Sequence, residues 1–201
     1  MQLLAFPVVA VAVLAGVWVA GGVLSDDFRT SMALTAVWFA GSGAACLLVA
    51  RRWRALKVPV VAAFVVTAGA TGAFLGLTTL RDRVVHERVI TAAPELARGS
   101  FRSHEHATAG VARVVRAADG RQFLTLTSFS TSPGPDLRVR LVPGGSFDGG
   151  ADGAVDLGGL KGNRGDQQYA IPPGADVSDR TVVIWCRAFS APFGSAMLRA
   201  A

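Results

Sequence analysis

Val182-Val183-Ile184-Trp185-Cys186-Arg187-Ala188-Phe189 decides how the rest of the chain is read. β-Branched and aromatic residues dominate it, turn-formers precede it and Ala191-Pro192 follows it, the pattern of a β-strand. Alternation along a strand puts Val182, Ile184 and Cys186 on one face and Val183, Trp185 and Arg187 on the other. The first set is aliphatic apart from the thiol and is expected to face inward. The chain has 2 cysteines, so the reading of Cys186 depends on where Cys46 lies.

Working outward, short strands between Gly, Pro and Asp clusters are expected near Ser100–His106, Val111–Ala117, Gln122–Phe129, Leu137–Val142, Val155–Leu157, Gln168–Ile171, Thr181–Phe189 and Gly194–Arg199. Asp119-Gly120 predicts a hairpin, because both residues tolerate positive φ. Pro133-Gly134-Pro135-Asp136 and Pro172-Pro173-Gly174 read as loops, and so does Gly144-Gly145. Evenly spaced short strands over residues 99–201 indicate an antiparallel β-sandwich or a small barrel.

The first half has a different texture. Leu3–Leu24, Met32–Ala50 and Val58–Leu80 are apolar runs without a charged residue. Each is near the ~20 residues that cross a bilayer as a helix, so residues 1–80 are expected to form a three-helix transmembrane anchor. Arg51, Arg52, Arg54 and Lys57 cluster between the second and third runs and are expected to hold that loop in the cytoplasm. Residues 99–201 then lie outside the cell membrane, joined by a linker over 81–98. A rival reading makes the first run a cleaved signal peptide; its flank lacks Lys and Arg and the run is long for one. Both readings deliver the carboxyl half outside.

The helices carry no His, Asp, Glu or Arg within their apolar runs, so the anchor is expected to carry neither haem nor a proton path. Ala68, Gly72 and Gly76 make a small-residue face on the third run, expected to pack within the same bundle. Cys46, near the cytoplasmic end of the second helix, cannot reach Cys186 across a bilayer and reads as a small apolar helix residue.

The net charge is +6. The topology cluster accounts for much of it, and the remaining basic residues alternate with acids. No basic stripe with interleaved aromatics appears, so nucleic-acid binding is not expected. No nucleophile-elbow motif frames a serine, which argues against a hydrolase.

Gly134-Pro135-Asp136-Leu137, the run Asp156-Leu157-Gly158-Gly159-Leu160-Lys161-Gly162-Asn163-Arg164-Gly165-Asp166-Gln167-Gln168-Tyr169, the pair Trp185-Cys186 and the closing Phe193-Gly194-Ser195-Ala196 together carry a resemblance. They resemble the DM-thirteen domain, the Skeletor-type electron-transfer module, and His106-Ala107-Thr108-Ala109-Gly110 is similar to its early His-then-Gly segment. Arg180 departs from the tyrosine common before the cysteine strand in bacterial members. The resemblance covers residue 99 onward and none of the membrane half. It implies a redox or electron-transfer component rather than a stand-alone enzyme, with Cys186 as its reactive or ligating atom and a redox partner protein. A bare thiol, haem and copper all stay open as the group involved.

Other residues fit that chemistry less specifically. His104 and His106 are spaced to share one face of a strand and could join Cys186 in a copper site, with Met197 axial; the usual cysteine-to-histidine spacing is lacking. No Cys-x-x-Cys-His signal for haem attachment occurs. Asp136 and Asp166 read as turn aspartates that bond their own backbone, and Lys161-Gly162-Asn163-Arg164-Gly165 as a loop. The alternative to a redox module is a non-catalytic binding sandwich in which Cys186 is core.

Overall fold

A computed structural model describes residues 2–25, 27–144, 153–177 and 179–201. Asp26 of the first interhelical break and Gly145 of the Gly144-Gly145 loop fall outside them. The chain divides after Thr78 into a helical unit, which also takes in Ala188–Ser190, and a β unit of Thr79–Arg187 and Ala191–Ala201.

The helical unit contains α1 (Gln2–Gly22), α2 (Phe28–Arg52) and α3 (Lys57–Leu80), with a 3-10 turn over Arg54–Leu56. All three helices are long and apolar enough to cross a membrane. Asp27 caps α2, its carboxylate accepting the Thr30 N–H at 2.7 Å. Hydroxyls inside the helices are satisfied locally: Thr35 donates to Ser31 O, Ser42 to Trp38 O, Thr71 to Thr67 O and Thr78 to Phe74 O. These four hydroxyl protons are thereby not left bare toward lipid. Glycines set the packing. Trp38 of α2 sits where a Cβ on Gly16 of α1 would be, and the Phe64 ring of α3 lies 2.9 Å from a Cβ built on Gly43. The small-residue face of α3 behaves differently from expectation. A Cβ on Gly72 or Gly76 would meet nothing within 4 Å. α3 instead buries Val60, Ala63 and Thr67, one helical stripe nearer its start.

The β unit is a sandwich of two sheets, not a closed barrel. Its strands are β1 (Val84–His86), β2 (Glu95–Ser100), β3 (Arg102–Ser103), β4 (Ala109–Arg116), β5 (Gln122–Ser130), β6 (Leu137–Pro143), β7 (Val155–Gly159), β8 (Arg164–Ala170), β9 (Arg180–Cys186), β10 (Ala191–Met197) and β11 (Arg199–Ala200). One sheet runs β1-β8-β5-β4-β2-β11 and the other β3-β10-β9-β6-β7. Every pairing is antiparallel except β1 with β8.

The faces of the core strands follow the period-two pattern, although Val183 and Thr125 on the opposite faces are buried as well. In β9, Val182, Ile184 and Cys186 are fully buried, paired across β6 with Leu141, Val139 and Leu137. The opposing sheet supplies Ala112 and Val114 from β4 and Leu124 and Leu126 from β5, each 0% exposed. The expected strand Thr181–Phe189 ends at Cys186; Arg187–Ser190 form the turn into β10, closed by Ser190 at φ 46°. The Asp119-Gly120 hairpin is present between β4 and β5, but Gly120 alone of the two takes positive φ, at 84°. Asp119 instead accepts from the Arg121 amide and guanidinium, which hold its carboxyl below the usual range.

Residues 81–98, expected as a linker, hold β1 and the first part of β2. Between those strands the chain passes from the β8 edge to β2, which pairs beyond β4. Glu87 and Ile90 are tied to Gln168, and Pro94 O accepts the Arg116 N–H. A three-residue strand pairing with residues eighty positions away leaves no local periodicity to read.

Candidate functional site

β9 and its neighbours fix the surroundings of Cys186. The residue ends the central strand of its sheet, flanked in register by Leu137 on β6 and Ala191 on β10. It is 0% exposed, with Ile184 and Val182 continuing the same face. The next residue, Arg187, points the other way and is held outside: its N–H donates to Asp136 O at 2.9 Å and its Nε to Asp136 Oδ2 at 2.6 Å. Asp136 is therefore structural, as expected, but through Arg187 rather than its own backbone. Cysteine nucleophilicity depends on a thiolate, a nearby cation and access. Val182, Ile184, Leu137 and Ala191 provide none of these. Neither Cys186 nor Cys46 is in a disulfide.

The histidines lie elsewhere. His104 follows β3, exposed, with Nε2 at 2.8 Å from Ser195 Oγ. Ser195 pairs with Val183, whose side chain points away from the Cys186 face. His106 lies past β3 and stacks on Phe193, ring centroids 3.9 Å apart. Met197 pairs with Thr181 at the far end of β9 and is 39% exposed. Among the described residues no three His, Cys, Asp or Glu side chains are grouped to hold a metal. His104 and His106 do not share a strand face because β3 stops at Ser103.

The most elaborate polar cluster was not anticipated from sequence. Gln167 is 0% exposed; its Oε1 accepts from Lys161 N, Gly162 N and Tyr169 Oη, and its Nε2 donates to Gly162 O. Asn163 Nδ2 donates to Asp82 Oδ1 at 2.7 Å and Thr131 O at 3.0 Å, while its Oδ1 accepts the Arg83 N–H. Lys161 Nζ bonds both oxygens of Glu87 and lies 5.1 Å over the Tyr169 ring. Burial pushes the Tyr169 phenol well up, aided by the Glu87 charge and opposed by the Lys161 amide. Glu87 moves the other way: burial raises it, but hydrogen bonds from Lys161 and the Gln168 amide, with the Lys161 charge, hold it below the usual carboxylate range. Asp166 Oδ1 accepts the N–H of Ser128, a bulged residue at φ 48°.

These contacts correct the loop reading of Lys161–Gly165. Arg164 and Gly165 already belong to β8, and Gly165, at φ 97°, lies where a side chain would strike the Val85 carbonyl of β1. The glycines exist so that β1 can approach. Gly162 and Gly165 around a single Asn were the one signal in the sequence that a backbone comes close here.

The arrangement is a rigid sandwich with one enclosed thiol, a clamped Arg187 beside it, and a buried amide cluster at the other sheet's edge. Residues 100–198 match the family model described as Electron transfer DM13. No curated protein matches the chain, and no solved structure does. The match spans β3 to β10 complete, including Gly134–Leu137, the Asp156–Tyr169 run, Cys186 and the closing Phe193–Ala196, the residues that carry the resemblance. The β-sandwich of this chain belongs to the Electron transfer DM13 family, behind three helices long and apolar enough to cross a membrane.

Proposed function

We propose that the protein is a membrane-anchored, extracytoplasmic electron-transfer module whose redox atom is the sulfur of Cys186. The observation that carries this reading is the family match, which spans the one cysteine of the β-sandwich. Arg51, Arg52, Arg54 and Lys57, at the junction of α2 and α3, support the orientation by the positive-inside rule, with the β unit on the far side. Electrons would pass to or from a partner protein.

Burial bears on how such a thiol would work. Cys186 is the last residue of β9, paired with Ala191 across a turn of four residues. Strand ends beside a turn open at lower free-energy cost than strand centres. Access to the sulfur would come by fraying of this end of the β9–β10 hairpin, with Arg187–Asp136 as the latch.

A second reading is favoured by the complete enclosure of the thiol. In it the sandwich is a binding module and Cys186 a small core residue. One experiment separates the two. The full chain is purified in neutral detergent with Cys46→Ala; its absorption spectrum, metal content and thiol titration are recorded. The redox reading expects a cofactor band or a thiol that reacts in the folded state. A colourless, metal-free protein whose thiol reacts only on unfolding supports the binding module.

A further inference from the structure

A cleft of about 620 Å3 lies where the chain leaves β10 and crosses to β11. Arg98, Arg102, Arg199, His104, Ser195 and Glu95 are among its walls. The three guanidiniums come from three strands, β2, β3 and β11. Arg98 and Arg199 are register partners on antiparallel strands, and Arg113 on β4 continues the same line. Like charges held directly opposite weaken a sheet, yet this row carries three. Glu95 is engaged by Arg113, 3.4 Å away, which offsets that carboxylate of the cleft. Among the described residues Arg98, Arg102 and Arg199 form no ion pair. On the other wall Arg102 pairs in register with Ser195, whose hydroxyl bonds His104.

We propose that this cleft binds a small soluble polyanion, phosphorylated or polycarboxylate, whose oxyanions bridge Arg98, Arg102 and Arg199. Guanidinium forks match the two oxygens of a phosphate or carboxylate. A bound anion would relieve the repulsion built into the Arg98–Arg199 pair. The volume suits a small molecule, since such sites run about 300–1,000 Å3, and the concave wall is a poorer fit to a protein surface. The site stands apart from the Cys186 face and does not depend on the redox reading.

The test is calorimetric titration of the full chain, in neutral detergent at low ionic strength, with inorganic pyrophosphate and with citrate. Saturable binding of either anion is expected. Arg98→Gln, Arg102→Gln and Arg199→Gln should each weaken it about tenfold, the triple variant should abolish it, and Arg121→Gln, outside the cleft lining and already paired with Asp119, should leave it unchanged. Without ligand the variants should melt no earlier than wild type, because each removes a repulsive charge; that separates lost binding from lost fold. Failure of both anions to bind, or equal binding by the triple variant, overturns the proposal. So does a protein that captures only poly-glutamate or only vesicles of anionic phospholipid while ignoring both small anions.

Discussion

Cys186 and Leu137 sit directly opposite each other on β9 and β6, and the next two facing residues, Asp136 and Arg187, are locked by two hydrogen bonds. The thiol is therefore closed in by a partner strand whose loop is pinned to its own. Any chemistry at the sulfur must pass through that latch.

Breaking the latch is the first expectation. Asp136→Asn keeps the backbone acceptor but removes the charge that holds Arg187. Surface pairs of this kind contribute roughly 0.2–1 kcal/mol, so the melting temperature should barely move while Cys186 reacts faster with a thiol reagent. Unchanged reactivity would show that the latch does not govern access.

Cys186→Ala should cost about 1–2 kcal/mol, because it leaves a small void in a closed core. Cys186→Ser should cost more, since its hydroxyl enters an aliphatic face. Denaturant melts of both variants check this. A serine variant as stable as wild type would mean that the pocket around the sulfur is polar.

Gln167→Leu should be among the most damaging single changes in the sandwich, at roughly 2–4 kcal/mol. It strands the Gly162 amide and the Tyr169 hydroxyl proton and leaves the Lys161 amide only its bond to Tyr169 Oη. Loss below about 1 kcal/mol would show that water replaces the amide freely.

The Glu87–Lys161 pair sets a pH dependence. Because the folded-state carboxyl is held low, its contribution is fully present above the ordinary glutamate value, about 4.3, and is lost as pH falls through the lower folded value. The side chains are 40% and 31% exposed, so solvent screening keeps the effect under about 1 kcal/mol. Melting curves of wild type and Glu87→Gln should differ near neutral pH and converge as the pH falls below the lowered folded-state value. A gap that persists in acid would contradict the assignment.

The sandwich was legible where burial and alternation coincide. In β9 and β6 each inward residue except Cys186 is aliphatic, so Val182, Ile184 and Leu141 announce both strand and face. β5 and the Asp119-Gly120 hairpin were readable for the same reason. β1 was not, because Val84-Val85-His86 becomes a strand only through Gly162 and Gly165, far along the chain. A fragment beginning at Gly99 lacks β1 and most of β2; one beginning at Thr79 retains the whole β unit. The longer fragment should fold with a strand-rich circular dichroism spectrum, and the shorter one should melt well below it. The candidate site was half legible. Cys186 and its inward face followed from alternation, but His104 and His106 share no face once β3 stops at Ser103. Gln167 stands just before the expected strand Gln168–Ile171, and nothing local shows that two loop amides converge on it.

The central claim, that Cys186 is the redox atom, is tested most directly by voltammetry of the full chain carrying Cys46→Ala, compared with the same protein carrying Cys186→Ser as well. The account predicts a reversible wave in the first that is absent from the second, with both proteins folded. Identical traces, or no wave from either, would contradict it and leave Cys186 as a core residue of a binding sandwich.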